Sequence, residues 1–284
     1  MDRLRELQLV EGDMLKQLDA LCVRHHIDYF IIGGTALGAI RHKGFIPWDD
    51  DVDVGILRKD FERLKEAVSK DWKEKDLFLL EGGNEKFYHD KIFARIYKRN
   101  TIFESASWIN DIKQKENERK PVWLDVFIFD YVDSKIEMRT KLFLSYLLKK
   151  CHLYSKYRFN YSKNMKRMCK ATMKNMLHFM LCLFKPKLFC ALNSKICAKD
   201  HGKYLATLEP FKAKPNHFYL ENVIFPVRRV QFEDFEVNSP CNPEAYLSTV
   251  YGDYMALPPV EERVGHIPQV LVLNNPSPDK ETKS

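Results

Sequence analysis

The sequence has no apolar run of about 18 residues, the length that a membrane-spanning helix requires. It has only 11 Gly and 13 Pro among 284 residues, too few for a collagen-like or low-complexity chain. The first residues are mostly polar, so the N-terminus lacks the apolar stretch of a signal peptide. With 45% hydrophobic and 30% charged residues, we expect a cytoplasmic globular protein of one large or two modest domains.

The seven Cys residues include no C-x-x-C pair, which argues against both a disulfide framework and a zinc site. Five of them lie between Cys151 and Cys197, in a segment rich in Met and Phe where small apolar side chains pack readily. We interpret them as reduced thiols, which agrees with a cytoplasmic protein.

Acidic residues are absent from residues 141–199, which contain 14 Lys and Arg. Because the whole chain carries a charge of +7, the remainder carries −7, and this separation of sign indicates an anionic partner. An apolar run at 176–184 is too short to span a bilayer but could lie flat on one. We hypothesise that this basic block rests on an anionic membrane surface, which would place the protein on the inner face of the plasma membrane. The alternative is a helical insertion packed on the main domain with a solvated basic face.

Nucleic acid is not expected as a partner, because the basic block has no RNP, zinc-finger or helix-turn-helix signature.

The apolar periodicity predicts an α/β (α+β) protein. Apolar residues at three- and four-residue steps predict a helix over 4–22, and a second helix is predicted over 61–68. Strands are predicted at 29–32, 52–56, 92–97 and 122–129 from β-branched and aromatic runs or from alternation. Thr35 is predicted near the N-cap of a helix that follows the first strand.

A Gly33-Gly34 pair stands between the first predicted strand and the helix that follows it. Glycine lets the backbone approach a ligand closely, and the N–H groups of a helix N-terminus attract anions. Gly38 completes a G-x-x-x-x-G spacing, but Ala39 and Ile40 replace the Lys and Ser/Thr of a P-loop. The pair alone therefore indicates either a phosphate cradle or a simple tight turn.

Four carboxylates follow within five positions, at Asp49, Asp50, Asp51 and Asp53. Asp51 and Asp53 are two apart on a predicted strand, so both would project from one face. Such crowding raises carboxyl pKa values and opposes folding unless a divalent cation neutralises it. The spacing also resembles the start of an EF-hand loop, but Val54 stands where that loop needs Gly. A solvated acidic turn is the other alternative.

Asp125 is the lone carboxylate in the apolar run 122–129. A buried ionised carboxylate is costly unless it has a partner, so Asp125 is either salt-bridged in the core or a third metal ligand. We favour the ligand. Three carboxylates holding one or two Mg²⁺ ions, or Mn²⁺ instead, beside a Gly-Gly anion cradle suit phosphoryl or nucleotidyl transfer.

The stretch from Gly33 to Val54, GGTALGAIRHKGFIPWDDDVDV, resembles the signature of the LicD family, which is related to fukutin and the fukutin-related protein. Residues 122–127 and 251–259 resemble the third-carboxylate strand and the C-terminal motif of that family. The resemblance implies a nucleotidyltransferase-type mixed sheet flanked by helices. It also implies transfer of a phospho-alcohol, typically phosphocholine from CDP-choline, to a hydroxyl of a glycan acceptor such as lipopolysaccharide or teichoic acid, or of its lipid-linked precursor.

Carried over residue by residue, the resemblance makes Asp51, Asp53 and Asp125 the metal ligands and catalytic residues, and gives phosphate binding to Gly33, Gly34 and Thr35. Further residues are predicted to contact the substrate, and these are Arg41, His42, Lys43, Trp48, Asp49, Arg95 and Lys98. The alternatives are that the loop residues or the strand edge are simply solvated, or that the side chain packs within the loop. Trp48 could face a quaternary ammonium. Asp253 and His266 occupy family-like positions to which we assign no role.

We divide the chain into a catalytic core (1–140), the basic helical block (141–200), a C-terminal region that completes the catalytic domain (201–273) and a disordered tail (274–284). Two other functions remain open from the sequence. One is a nucleotidyltransferase that adds NMP to a small molecule or protein, and the other is a non-catalytic adaptor for membranes or polyanions.

Overall fold

The computed structural model describes residues 2–72, 76–81, 94–105, 120–156, 165–208, 218–263, 265 and 268–273. These residues form eight α-helices and eleven strands, which confirms the predicted mixed α/β class. In chain order they are α1 (Arg3–Arg24), β1 (Tyr29–Ile31), α2 (Gly33–His42), β2 (Asp53–Leu57), α3 (Arg58–Asp71), β3 (Leu77–Leu80), β4 (Ala94–Lys98), β5 (Ile102–Ser105), β6 (Trp123–Val132), α4 (Lys135–Lys156), α5 (Met165–Leu181), α6 (Pro186–Cys197), β7 (Tyr204–Thr207), β8 (Phe218–Leu220), α7 (Glu221–Ile224), β9 (Arg228–Phe232), β10 (Phe235–Ser239), α8 (Pro243–Tyr251) and β11 (Pro268–Val272). The predicted tail lies outside the described residues.

The main sheet is built around β6. Its strand order is β1-β2-β6-β4-β3, with β7 paired to β6 and β8 paired to β7. Only β2 runs parallel to β6, and it pairs along the edge opposite to β4 and β7. With ten residues, β6 is long enough for β4 to pair with its first part and β7 with its last part. Its buried β-branched and aromatic residues are typical of a strand covered on both faces.

The helices α1 and α3 cover this sheet. The apolar stripe predicted over 4–22 forms the buried side of α1, where Leu7, Met14 and Leu15 are fully enclosed. α1 contacts α3 and β6, and α3 contacts β2, β3 and β6. α2 packs against β2, β9 and α8, so the C-terminal region contacts the helix that follows Gly33-Gly34. None of the described helices is both long and apolar enough to cross a bilayer.

The basic block is helical, as predicted, and consists of most of α4 together with α5 and α6. A second apolar cluster joins it to the core, in which Val132 and Ala206 of the sheet meet Met138, in the first turn of α4, and Cys197 of the block. The apolar run predicted at 176–184 is not one continuous helix, because α5 ends at Leu181 and a turn follows.

A buried ion pair fixes the same junction. Asp130, near the end of β6, is 2% exposed and accepts two hydrogen bonds from Arg58, with Nε–Oδ1 of 2.6 Å and Nη2–Oδ2 of 2.5 Å. Arg58 Nη1 also donates to Ser194 Oγ of α6 at 2.6 Å. The first residue of α3 therefore holds the central strand and the basic block together.

We expect Asp130→Asn to lower the free energy of unfolding by about 3 kcal/mol, because it leaves the Arg58 charge largely buried without its counter-charge. Urea denaturation measures the loss. Asp133→Asn is the matched control, since its side chain is 62% exposed where it pairs with Lys199. Equal effects of the two substitutions would contradict the role given to the buried pair.

Candidate active site

Three adjacent strands place one charged residue each in a single row. In the parallel pair, Asp53 of β2 lies opposite Asp125 of β6, and in the antiparallel pair Arg95 of β4 lies opposite Asp125. Residues directly opposite one another project from the same face of a sheet. The register therefore brings together Asp53 and Asp125, which are far apart in the sequence, as predicted.

Arg95 is the partner of Asp125. Its Nε donates to Asp125 Oδ1 at 2.5 Å, and its Nη2 lies 3.4 Å from Oδ2. Arg95 is 5% exposed, and its guanidinium stands 4.4 Å from the centre of the Trp123 ring. The solvated strand edge considered for Arg95 is therefore wrong. Asp125 is therefore salt-bridged in the core, which was one of the two alternatives for it. That it also binds a metal ion stays a prediction.

Asp51 lies outside the strand in which it was predicted. β2 begins at Asp53, although the Asp125 N–H still donates to the Val52 carbonyl at 3.0 Å. Asp51 is exposed to solvent at the edge of the site, whereas Asp50 is buried. Its desolvating protein surroundings, and then the charges of neighbouring carboxylates led by Asp53, raise the pKa of Asp51 well above its usual range.

A buried glutamate from α1 adds to this crowding. Glu11 is 2% exposed, and its Oε2 has no hydrogen-bond partner among the described residues. Burial, and then the charges of Asp51, Asp50 and other carboxylates, raise the pKa of Glu11 well above its usual value. Glu11 could not be recognised from the sequence as part of this cluster, because periodicity marks its position on α1 only as inward-facing.

Polar contacts from two distant segments hold the loop that carries the aspartates. On α1, Gln8 Nε2 donates to the Asp49 carbonyl at 2.9 Å and to the Ile46 carbonyl at 3.2 Å. Glu233, in the turn between β9 and β10, accepts from the Phe45 N–H at 3.2 Å and forms a two-point ion pair with Arg5. These bonds fix the backbone of the loop that carries the aspartates.

The first turn of α2 begins at Gly33 rather than near Thr35 as predicted. Gly33 has φ of +55°, and its N–H donates to the Tyr246 hydroxyl at 3.0 Å, so this N–H is engaged by α8. Thr35 Oγ1 accepts from the Asp53 N–H at 2.8 Å and so ties the helix to β2. The N–H groups of Gly34 and Thr35 fall in the first turn, where an α-helix supplies no backbone acceptor.

Carboxylates line the space in front of this turn. An ideal Cβ at Gly34 would lie 2.5 Å from Asp49 Oδ2, and one at Gly33 would lie 3.1 Å from Asp53 Oδ2. The absence of side chains at both glycines thus makes room for Asp49 and Asp53 beside the positive end of α2.

The basic loop residues are spread over different surroundings. Arg41 Nη1 donates to the carbonyls of Tyr254 (2.8 Å) and Ala256 (3.2 Å), so it binds the C-terminal motif. Burial, and then the Arg41 charge, lower the pKa of His42 below its usual value. Lys43 is exposed and ends α2 in the left-handed region with φ of +63°.

Trp48 packs within the loop, and Lys98 lies apart from the row. The Trp48 ring meets His42 edge to face at 6.1 Å, and the Arg263 guanidinium stands over the ring at 5.3 Å. A cation of the protein therefore already contacts this ring.

Lys98 pairs with Asp13 of α1 at 3.6 Å, beyond Arg95 along β4. The substrate contacts of Trp48 and Lys98 stay predictions.

Of the two family-like positions without a role, Asp253 is exposed after α8 and His266 lies outside the described residues. Across the described ranges, no three His, Cys, Asp or Glu side chains stand close enough to form a ready metal site.

Comparison with known proteins decides the family. The model of the LicD/FKTN/FKRP nucleotidyltransferase domain matches residues 26–165. The lipopolysaccharide cholinephosphotransferase LicD of Haemophilus influenzae is 30% identical over 278 residues, which cover 93% of this chain and 95% of that protein. This chain belongs to the LicD family.

The LicD family assignment makes the chain a transferase of the LicD type. The ribitol 5-phosphate transferases FKRP of Mus musculus and Homo sapiens are each 29% identical over 136 residues, which cover 42% of this chain and 26% of those proteins. The residues quoted for the resemblance lie largely within the part that the family model matches. Similarity to the Haemophilus protein extends over nearly the whole chain.

In this LicD protein, the raised pKa of Glu11 predicts a pH effect on stability. A carboxyl whose folded pKa exceeds its unfolded pKa stabilises at low pH, and that contribution is lost as the pH rises through the folded pKa. Glu11→Gln should therefore become more stable relative to wild type as the pH rises from acid to alkaline. Urea denaturation at several pH values measures this.

Glu66→Gln, at an exposed position of α3, is the control and should show no such trend. A constant difference between Glu11→Gln and wild type across pH would contradict the burial of a titrating Glu11.

Proposed function

We propose that the protein transfers phosphocholine, or a similar phospho-alcohol, from a CDP-linked donor such as CDP-choline to a hydroxyl of a cell-surface glycan or its lipid-linked precursor. The observation that carries this proposal is the pairing of Asp53 with Asp125 beside the first turn of α2. This site combines carboxylates, which can bind a divalent cation, with backbone N–H donors, which can bind phosphate oxygens. Binding a diphosphate needs both. The printed name of the Haemophilus relative supports choline as the alcohol.

Mg²⁺, with Mn²⁺ as the alternative, is the cofactor in this proposal. The side chains fit such an ion chemically, because the site offers carboxylate oxygens. Burial, and then repulsion from neighbouring carboxylates, raise the pKa of Asp51, and a divalent charge would relieve that repulsion. Asp51, Asp53 and Asp125 would hold the ion. When bound, it would neutralise charge on the phosphate oxygens of the donor.

The residues of the chain divide the remaining work. The N–H groups of Gly34 and Thr35 bind donor phosphate oxygens at the positive end of α2. Arg95 orients Asp125 through their paired hydrogen bonds. A carboxylate of the cluster that does not hold the ion accepts the proton of the acceptor hydroxyl.

The bond changes then balance. The acceptor oxygen forms a bond to the phosphorus that carries the alcohol, the bond from that phosphorus to the bridging oxygen breaks, and CMP leaves. A nucleotidyltransferase would instead attach the CMP portion to the acceptor. A cytoplasmic location belongs to the same proposal, and the seven free thiols of the chain support it.

The decisive experiment uses CDP-choline labelled in its choline, with lipopolysaccharide or teichoic acid as acceptor. We expect label in the glycan together with CMP release, and we expect EDTA to abolish both until Mg²⁺ is restored. Asp53→Asn should lower the rate by about 100-fold or more, because it removes one of the carboxylates proposed to hold the ion. Parallel assays with CDP-ethanolamine, CDP-ribitol and CDP-glycerol identify the alcohol by the fastest CMP release.

Asp28→Asn, at an exposed position before β1, is the matched control and should keep wild-type activity. A second donor preparation carries its label in the cytidine moiety, and transfer of that label to the acceptor would replace this proposal with the nucleotidyltransferase. Full activity of Asp53→Asn would exclude the carboxylate row as the active site.

A second prediction concerns the space in front of α2. Gly34→Ala should reduce activity by about tenfold or more while the protein stays folded, because the new methyl group would displace the Asp49 carboxylate and crowd the bound phosphates. Circular dichroism checks the fold, and CMP release checks the activity. Gly12→Ala is the control, since its Cβ would meet only the Phe45 ring at an ordinary 3.6 Å. Equal activity of the two variants would contradict the crowding argument.

A further inference from the structure

The basic block exposes an unusual apolar surface on α5 and the turn after it. We call it the methionine face, and its members are Met173 (71% exposed), Met176 (69%), Phe179 (60%), Met180 (62%) and Leu183 (83%). Steps of three and four residues bring most of them to one side of the helix. Folded monomers seldom leave such a contiguous set of large apolar side chains in water unless it binds something.

The opposite side of α5 is fixed to the block, so the methionine face cannot turn inward. Ala171, Asn175 and His178 are 6–8% exposed on that side. α5 contacts α4, and His178 Nδ1 lies 2.7 Å from the Tyr154 carbonyl of α4. The outward orientation of the methionine face therefore follows from the packing of α5.

Positive charge surrounds this face. Lys185 and Lys187 are exposed and lie two and four residues after Leu183, and Lys195 is exposed on α6. Residues 141–199 as a whole supply 14 Lys and Arg with no Asp or Glu. Exposed Leu188 and Leu192 of α6 extend the apolar character between these lysines. The surface thus joins apolar side chains to cations and presents no acidic group of its own.

The geometry points to an anionic lipid bilayer as the occupant of the methionine face. A second copy of this chain would bring two strongly basic blocks together, which like-charge repulsion opposes. A bilayer with anionic headgroups matches both parts of the surface, because apolar side chains enter the acyl boundary while lysines reach the phosphates. The block would lie on the membrane without crossing it. This inference goes beyond the proposed reaction and does not depend on it.

Vesicle co-sedimentation of the full chain tests the inference. We expect the protein to pellet with vesicles of equal parts phosphatidylcholine and phosphatidylglycerol at low salt, to be released by high salt, and to stay in solution with phosphatidylcholine alone. Met176→Glu combined with Met180→Glu should weaken binding to the anionic vesicles by about tenfold or more, because carboxylates enter the acyl boundary unfavourably. Lys185→Glu combined with Lys187→Glu should weaken it and reduce its salt dependence.

Leu9→Glu combined with Val23→Glu is the matched control, since it places two carboxylates at exposed apolar positions of α1 and should leave vesicle binding unchanged. Release of CMP from a water-soluble donor should be the same in all these variants, which separates docking from catalysis. The inference is overturned if wild type does not pellet with anionic vesicles, or if the methionine-face variant binds them as wild type does. It is also overturned if light scattering shows a wild-type dimer that the methionine-face variant dissociates.

Discussion

Repulsion among carboxylates is the constraint around which this molecule is arranged. Burial, and then the charges of neighbouring carboxylates, raise the pKa values of Asp51 and of buried Glu11 above their usual range. Gln8 and Glu233 fasten the loop by its backbone, and Arg95 pairs with Asp125. Such a cluster is costly to a folded protein unless a bound cation or substrate repays the cost.

The register of the sheet places residues that are far apart in the sequence opposite each other. Asp53 and Asp125 come from segments joined by α3, β3, β4 and β5, yet they stand opposite each other because β2 runs parallel to β6. The same strand carries Asp130, whose buried pair with Arg58 attaches the basic block. One strand therefore organises both the proposed active site and the junction with the lysine-rich helices.

Much of this could be predicted from local patterns, and the failures have physical causes. The periodicity of α1, the apolar run of β6 and the Gly-Gly pair at the start of α2 are signals within a few residues, and the structure contains each of them. Asp51 was misplaced because alternation continues past the true start of β2. Tyr246 and Glu233 could not be predicted, because their contacts with Gly33 and Phe45 come from distant segments that carry no pattern of their own.

The length of β6 also sets the distance between the carboxylate row and the junction with the basic block. Asp125 and Asp130 are five residues apart on one strand, and at about 3.3 Å per residue this is a span of about 17 Å. A hydrogen-bonded central strand is too stiff to stretch, so it keeps a fixed distance between the proposed active site near Asp125 and the helices that follow its C-terminal end. Changes in the length or packing of those helices would therefore alter the outer surface of the protein, while the carboxylates of the proposed active site keep their spacing.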